Sequence, residues 1–321
     1  MNIKENNKIE TKGYASAGAV VSKAFSVMER LYGHGLMEDY VSTGYQEIDH
    51  YTGFMSGNLV CIAGSSGGLS TLVMNLFSRL NRATDESIPA LLFSLQHNPV
   101  YIGRQLLALE SRLLVQNLLR ARLRDSHWPA LACAAGKLSD ASTLYVCPKP
   151  ASDIEGIIQQ ADLFIQEVEP GLRVMFIDSL QLILSTDRQE DNCLRALKAW
   201  ARDHEVTVVI TSRLRTRRNS RTGLERPNND RLHRMLQTYA DVVLQVTVRT
   251  ANGIADKMKD ENGYHFAYDH ASGMVVWMPD NVDIVKYPME LTLLKNSNGP
   301  IGSIPLTFIP QQCLIESRAS N

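Results

Sequence analysis

No stretch of this 321-residue chain approaches the roughly 18–20 consecutive apolar residues that a membrane-spanning helix needs. The opening MNIKENNKIETKG also lacks the apolar run of a secretory leader, so a cytoplasmic protein without a membrane partner is expected. The five cysteines, Cys61, Cys133, Cys147, Cys193 and Cys313, are odd in number, widely spaced and without a CxxC pair, which argues against zinc or dithiol chemistry and predicts free, buried thiols. The eight histidines show no HExxH or other paired spacing, which excludes a histidine-based metal centre. Neither Ser66 nor Ser212 sits in a nucleophile elbow, and no Ser-His-Asp order is suggested. Internal repeats and low-complexity tracts are missing too. What is present, 44% hydrophobic and 21% charged residues, is globular composition with enough apolar material for a full core.

A net charge of −1 conceals one asymmetry. Arg213, Arg215, Arg217, Arg218, Arg221, Arg226, Arg231 and Arg234 face only Glu225 and Asp230, so this segment carries +6 and the rest of the chain −7. A nucleic-acid footprint would therefore be local.

Along the chain, residues 1–16 read as a flexible polar tail. Val20, Val21, Ala24, Phe25, Met28 and Leu31 then recur at helical spacing and predict an amphipathic helix over 17–35, packed either on its own domain or on a partner. A single domain over 40–315 follows. In it the apolar runs LVCIAG (59–64), PALLFSL (89–95), STLYVC (142–147), RVMFIDSLQLI (173–183), VTVVITS (206–212) and DVVLQVTV (241–248) alternate with helical patterns such as Leu106–Leu123 and Leu194–His204. That alternation predicts an α/β fold with a mainly parallel sheet and helices on both faces. GMVVWM (273–278), MELTLLKN (289–296) and GSIPLTFI (302–309) follow with turns between them, which predicts an antiparallel C-terminal extension.

The first strand runs into Gly64, Ser65, Ser66, Gly67, Gly68, Leu69, Ser70 and Thr71, followed by a helical pattern. Strand, glycine-rich loop and helix are the setting of a P-loop, in which backbone N–H groups cradle phosphates, a lysine meets the outer oxygens and the next hydroxyl binds Mg²⁺. Leu69 stands in the lysine position and Ser70 in that of the hydroxyl. Asp178 closes an apolar strand at its carboxyl end, where open α/β sheets place their chemistry, and is with Ser70 a candidate Mg²⁺ ligand.

VSTGYQEIDHYTG (41–53), AGSSGGLST (63–71), FSLQH (93–97), the pattern around Asp125–Trp128, FIDSLQL (176–182) and above all NGPIGSIPLTF (298–308) resemble the C-terminal, RecA-like ATPase domain of DnaB-family replicative DNA helicases. The resemblance covers residues 17 to 309. It implies a RecA-like P-loop NTPase fold, ATP and Mg²⁺ as cofactors, and a ring of subunits, a hexamer, or association with a related helicase. The 17–35 segment then corresponds to the linker helix that docks on the adjacent subunit. No counterpart of the primase-recruiting N-terminal domain is expected.

The departures fall on the chemical positions. The family's phosphate lysine is Leu69, and its water-activating acid is Gln96, whose carboxamide cannot accept a proton. The glutamine after the fifth core strand is Arg213. Of the basic pair that reaches the neighbouring site, Lys295 is kept and the arginine is Ser297. His97, beside Gln96, reads either as a substitute acid/base or as a loop-satisfied histidine. The turn glycines Gly44, Gly53, Gly68 and Gly302 and the apolar strands are intact, a pattern of retired chemistry on a retained scaffold. The loops that contact DNA in the family are rewritten: RPNNDRLHRMLQTYAD is shorter and lacks the family's glycine, while SRLRTRRNSRTGLER is arginine-rich. Arg215, Arg217, Arg218, Arg221, Arg231 and Arg234 are the candidates for phosphates of single-stranded DNA, the alternative being a solvated loop, since no aromatic interleaves before Tyr239 to stack a base. Three functions are consistent with the sequence: a nucleotide- or DNA-binding ring module with weak or no hydrolysis, an active ATP-dependent 5′→3′ helicase, and a structural paralogue that binds neither.

Overall fold

The computed structural model of the protein describes residues 16–34, 40–64, 68–80, 88–141, 143–169, 171–183, 190–213, 216–218, 225–227, 231–248 and 284–318. The chain forms two units, Met1–Tyr40 and Val41–Asn321. The first carries helix α1 (Ala17–His34), in which Ser16 Oγ accepts a hydrogen bond from the Ala19 N–H. Val20, Val21, Phe25 and Met28 lie along it, between 54% and 61% exposed.

At the start of the second unit, β1 (Tyr40–Val41) pairs with β2 (Phe54–Met55) around α2 (Gln46–Tyr51). There follow β3 (Leu59–Gly64), α3 (Leu69–Arg79), β4 (Ala90–Ser94), α4 (Pro99–Ser111), α5 (Val115–Leu119), α6 (Trp128–Asp140), β5 (Leu144–Val146) and α7 (Ile154–Glu167). Next come β6 (Val174–Asp178), α8 (Leu180–Ile183), α9 (Glu190–His204), β7 (Thr207–Arg213), the antiparallel pair β8 (Thr216–Arg218) and β9 (Glu225–Pro227), and α10 (Arg231–Tyr239). Strands β10 (Val242–Val248), β11 (Tyr287–Asn296), β12 (Ser303–Ile309) and β13 (Leu314–Ser317) close the unit.

One nine-stranded sheet runs in the order β13-β12-β11-β10-β3-β7-β6-β4-β5. From β10 to β5 the pairings are parallel, and from β10 outward through β13 they are antiparallel. The expected α/β sheet and its antiparallel extension are thus both present. The central strands are buried on both faces, which explains why they read as unbroken apolar runs rather than as alternation. On one face Val60, Ile62, Phe176 and Val209 pack under α3, with Phe77 and Phe54 each edge-on to Phe176. On the other, Leu59, Cys61, Met175 and Val208 pack under α7 and α9 against Ile157, Leu194, Leu197 and Trp200. Each such fully buried side chain contributes about 1.5–3 kcal/mol relative to exposure.

Several expectations change. The helix read over Leu106–Leu123 is two helices, because Arg112 ends α4 in the left-handed region at φ 57°. The break lets Ala108, Leu118 and Leu131 close a small core of their own with α6, which a straight helix would not allow. The run 173–183 is not one strand: β6 stops at Asp178, and residues 180–183 turn back as α8. Strand β13 was not expected from the sequence. GMVVWM (273–278) lies outside the described residues. All five thiols are free, as expected, but only Cys61, Cys193 and Cys313 are buried; Cys133, on the outer side of α6, is exposed. Burial raises the Cys193 and Cys313 thiols to about 12, so they stay protonated fillers of the core.

Candidate nucleotide site and nucleic-acid interface

Strand β3 ends at Gly64, where a side chain is excluded: an added Cβ would lie 2.8 Å from the Val246 carbonyl oxygen of the neighbouring strand. Gly68 caps α3 in the left-handed region at φ 82°, a conformation that favours glycine. No acidic residue occupies the first turn of α3 and no side chain caps it among the described residues; because the helix follows β3, its leading N–H groups and the positive end of its dipole lie at the carboxyl edge of the sheet. Ser70 and Thr71, half-buried, start the helix. Ser65, Ser66 and Gly67 lie outside the described residues. Leu69 is 6% exposed and belongs to the same core as Leu72 and Ile62, its Cδ2 lying 3.5 Å from where a Gly64 Cβ would be. The residue that the sequence reading set in the lysine position is therefore a core residue.

Two strands away, Asp178 ends β6 at 2% exposure. Its Oδ1 accepts from the Thr211 hydroxyl at 2.6 Å, while Oδ2 is buried without a partner among the described residues. Ser94, opposite Asp178 in the β4–β6 register, is also buried, with its Oγ unpartnered among the described residues. The Leu95 N–H donates to the Asp178 carbonyl oxygen at 2.8 Å and holds the start of the Gln96–His97 turn against β6. Gln96 is exposed just beyond that bond. His97 stacks on Tyr101 at 4.3 Å; burial lowers its pKa, with the Asp178 charge acting the other way. Thr211, Ser94 and Gln181 went unnoticed in the sequence. Gln181 bridges to the end of β7, its Nε2 donating to Ser212 Oγ at 3.0 Å and to the Arg213 carbonyl oxygen, and its Oε1 accepting from the Arg213 N–H.

The remaining candidates do not join this cluster among the described residues. Lys295, on β11, donates to the Gln237 carbonyl oxygen of α10 at 2.8 Å and so ties the extension to that helix. Arg217 and Arg218 lie on β8, opposite Arg226 and Glu225 in register. Arg231 starts α10, and Arg234, on its next turn, is exposed. Arg215 and Arg221 lie outside the described residues. Tyr239, at the end of α10, donates to Asp191 Oδ1 at 2.6 Å and holds the helix on α9.

A glycine-ended central strand, a helix baring its N-terminus to the sheet's carboxyl edge and a buried strand-terminal aspartate two strands away define a P-loop-type, RecA-like α/β domain. Residues 40–317 match the DnaB-like helicase C terminal domain, and the chain belongs to that family. It is 26% identical over 311 residues to the replicative DNA helicase DnaC of Bacillus subtilis (strain 168), a match covering 94% of this chain and 62% of that protein. With the replicative DNA helicase DnaB of Geobacillus stearothermophilus it shares 27% identity over 84% of this chain and 55% of the relative. The chain thus spans about half to three-fifths of the length of these relatives. A solved DnaB-like replicative helicase, described with its interactions with primase, has the same fold at a TM-score of 0.69 and 21% identity, over 95% of this chain and 67% of the other.

Proposed function

We propose that the chain is a ring-forming module of DnaB type that binds ATP with Mg²⁺ and holds single-stranded DNA, with hydrolysis weak or lost. The observation that carries this reading is the contrast between Leu69 and Asp178. Leu69 fills the lysine position with buried hydrocarbon, whereas Asp178 keeps a buried, unpartnered carboxylate oxygen suited to a cation. Ser70 and Asp178 would hold Mg²⁺, and the backbone from Gly64 to Thr71 would hold the phosphates. When bound, the metal supplies neutralisation of the β- and γ-phosphate oxygens. This chain's own groups orient the nucleotide but leave two steps unserved. Gln96 can position a water but cannot take its proton, and Ser297 carries no charge to a neighbouring site. Loss of such a finger alone costs about 10³–10⁵ in rate.

The ring is supported by family membership and by the exposed apolar row on α1. DNA contact is supported by the charge of Arg215, Arg217, Arg218, Arg221, Arg231 and Arg234. The test is steady-state ATP turnover with and without single-stranded DNA, on protein whose mass in solution has been measured by light scattering. A multiple of 35.8 kDa is expected, with nucleotide bound and turnover far below 1 s⁻¹. A DNA-stimulated rate of about 1 s⁻¹ or more, within the ordinary enzyme range, would show an active helicase motor instead.

A further inference from the structure

We propose that Arg213 meets the terminal phosphate of the bound nucleotide in place of the missing lysine; this rests on the nucleotide binding proposed above. The β3–β7 register sets Gly64 directly beside Arg213, so the arginine ends the strand next to the start of the phosphate loop. On its other side, β7 pairs with β6, and Thr211, two residues before Arg213, bonds Asp178. Alternation along β7 puts Val209, Thr211 and Arg213 on one face. That face is the α3 side, because Val209 packs in one core with Leu72.

Gly64, Arg213, Asp178 and Ser94 therefore line up on one face at the carboxyl ends of four adjacent strands, β3, β7, β6 and β4. Of these four, Arg213 is the only cation. It is exposed and enters no ion pair among the described residues, whereas Lys295 is engaged with Gln237. Its backbone is held on both sides by the Gln181 carboxamide, so the side chain extends from a fixed anchor. An arginine at a strand end flanked by those of Gly64 and of Asp178, the aspartate suited to Mg²⁺, has the terminal phosphate as its natural acceptor. An arginine there offers a bidentate fork where a lysine would offer a point charge. It supplies affinity without supplying the base absent at Gln96.

The experiment titrates fluorescent N-methylanthraniloyl ATP and ADP into wild type, Arg213→Ala and Arg213→Lys, with Mg²⁺ present. The alanine variant should lose about 10- to 100-fold in ATP affinity, the range for a hydrogen bond to a charged group. Its ADP affinity should change less than about threefold, and the lysine variant should recover part of the loss. Equal weakening for both nucleotides would mark Arg213 as structural and overturn the proposal, as would unchanged ATP affinity in a protein that binds ATP. Failure of the wild type to bind either nucleotide would overturn the nucleotide reading itself, and this inference with it.

Discussion

Asp178→Asn tests whether the buried aspartate is kept for a cation. Without metal, its Oδ1 has the Thr211 bond at 2.6 Å and its Oδ2 has nothing, at 2% exposure. An unpaired charge so placed costs several kcal/mol through lost hydration, and the Thr211 bond offsets about 1.5–3 of that. Asparagine fits the same volume, keeps an oxygen for Thr211 and removes the buried charge. The metal-free variant should therefore be more stable than wild type by about 1–2 kcal/mol, or roughly 1.5–3 °C in melting temperature. Mg²⁺ should invert that order: wild type gains about 2.7 kcal/mol at a hundred times Kd, while the variant gains little. Thermal melts with and without MgCl₂ at constant ionic strength read both halves. A variant less stable than wild type in the absence of metal, or an equal response of the two proteins to Mg²⁺, would refute the reasoning.

Asn75→Ala should cost about 3–5 kcal/mol of stability, since it strands the buried Ile315 N–H and Cys313 carbonyl oxygen that its amide satisfies and removes a bond to Thr71. Urea unfolding with an unchanged m-value measures the loss, and a change under about 1 kcal/mol would contradict it. Replacing Arg215, Arg217, Arg218 and Arg221 with Ala should weaken single-stranded DNA binding about equally for different base sequences. It should also flatten the log–log salt dependence by up to about 0.7 per lost phosphate contact; wild-type binding at every salt concentration would make the segment a solvated loop.

The strands were legible because full burial writes them as apolar runs, and the turn from β3 into α3 because glycine spacing marks it. Leu69 and Asp178 could be found in order along the chain for the same reason. The company they keep could not. Thr211, Ser94 and Arg213 join Asp178 and Gly64 only through the register of neighbouring strands, which is a non-local property. Strand β13 was hidden by its turn, where Cys313 holds the left-handed conformation at φ 50° and no glycine or asparagine signals it. The break after α4 was hidden likewise, since the left-handed residue there is an arginine. Both are places where tertiary contacts override local preference: Gln312 donates to the Arg112 carbonyl oxygen, and Asn75 fixes both sides of the Cys313 turn.

The side chain of Asn75 also sets an order in time. It sits in α3, which follows the first central strand of the sheet, yet its partners Cys313 and Ile315 follow 238 and 240 residues later. A ribosome makes the chain from the N-terminus, so α3 emerges early and waits for its brace until β13 has left the exit tunnel. During that interval the Tyr45 hydroxyl also lacks its acceptor, the Ile315 carbonyl oxygen. Helix α3 is thus among the earlier elements synthesised and among the last to be secured, and nascent chains stalled short of residue 317 should hold it loosely.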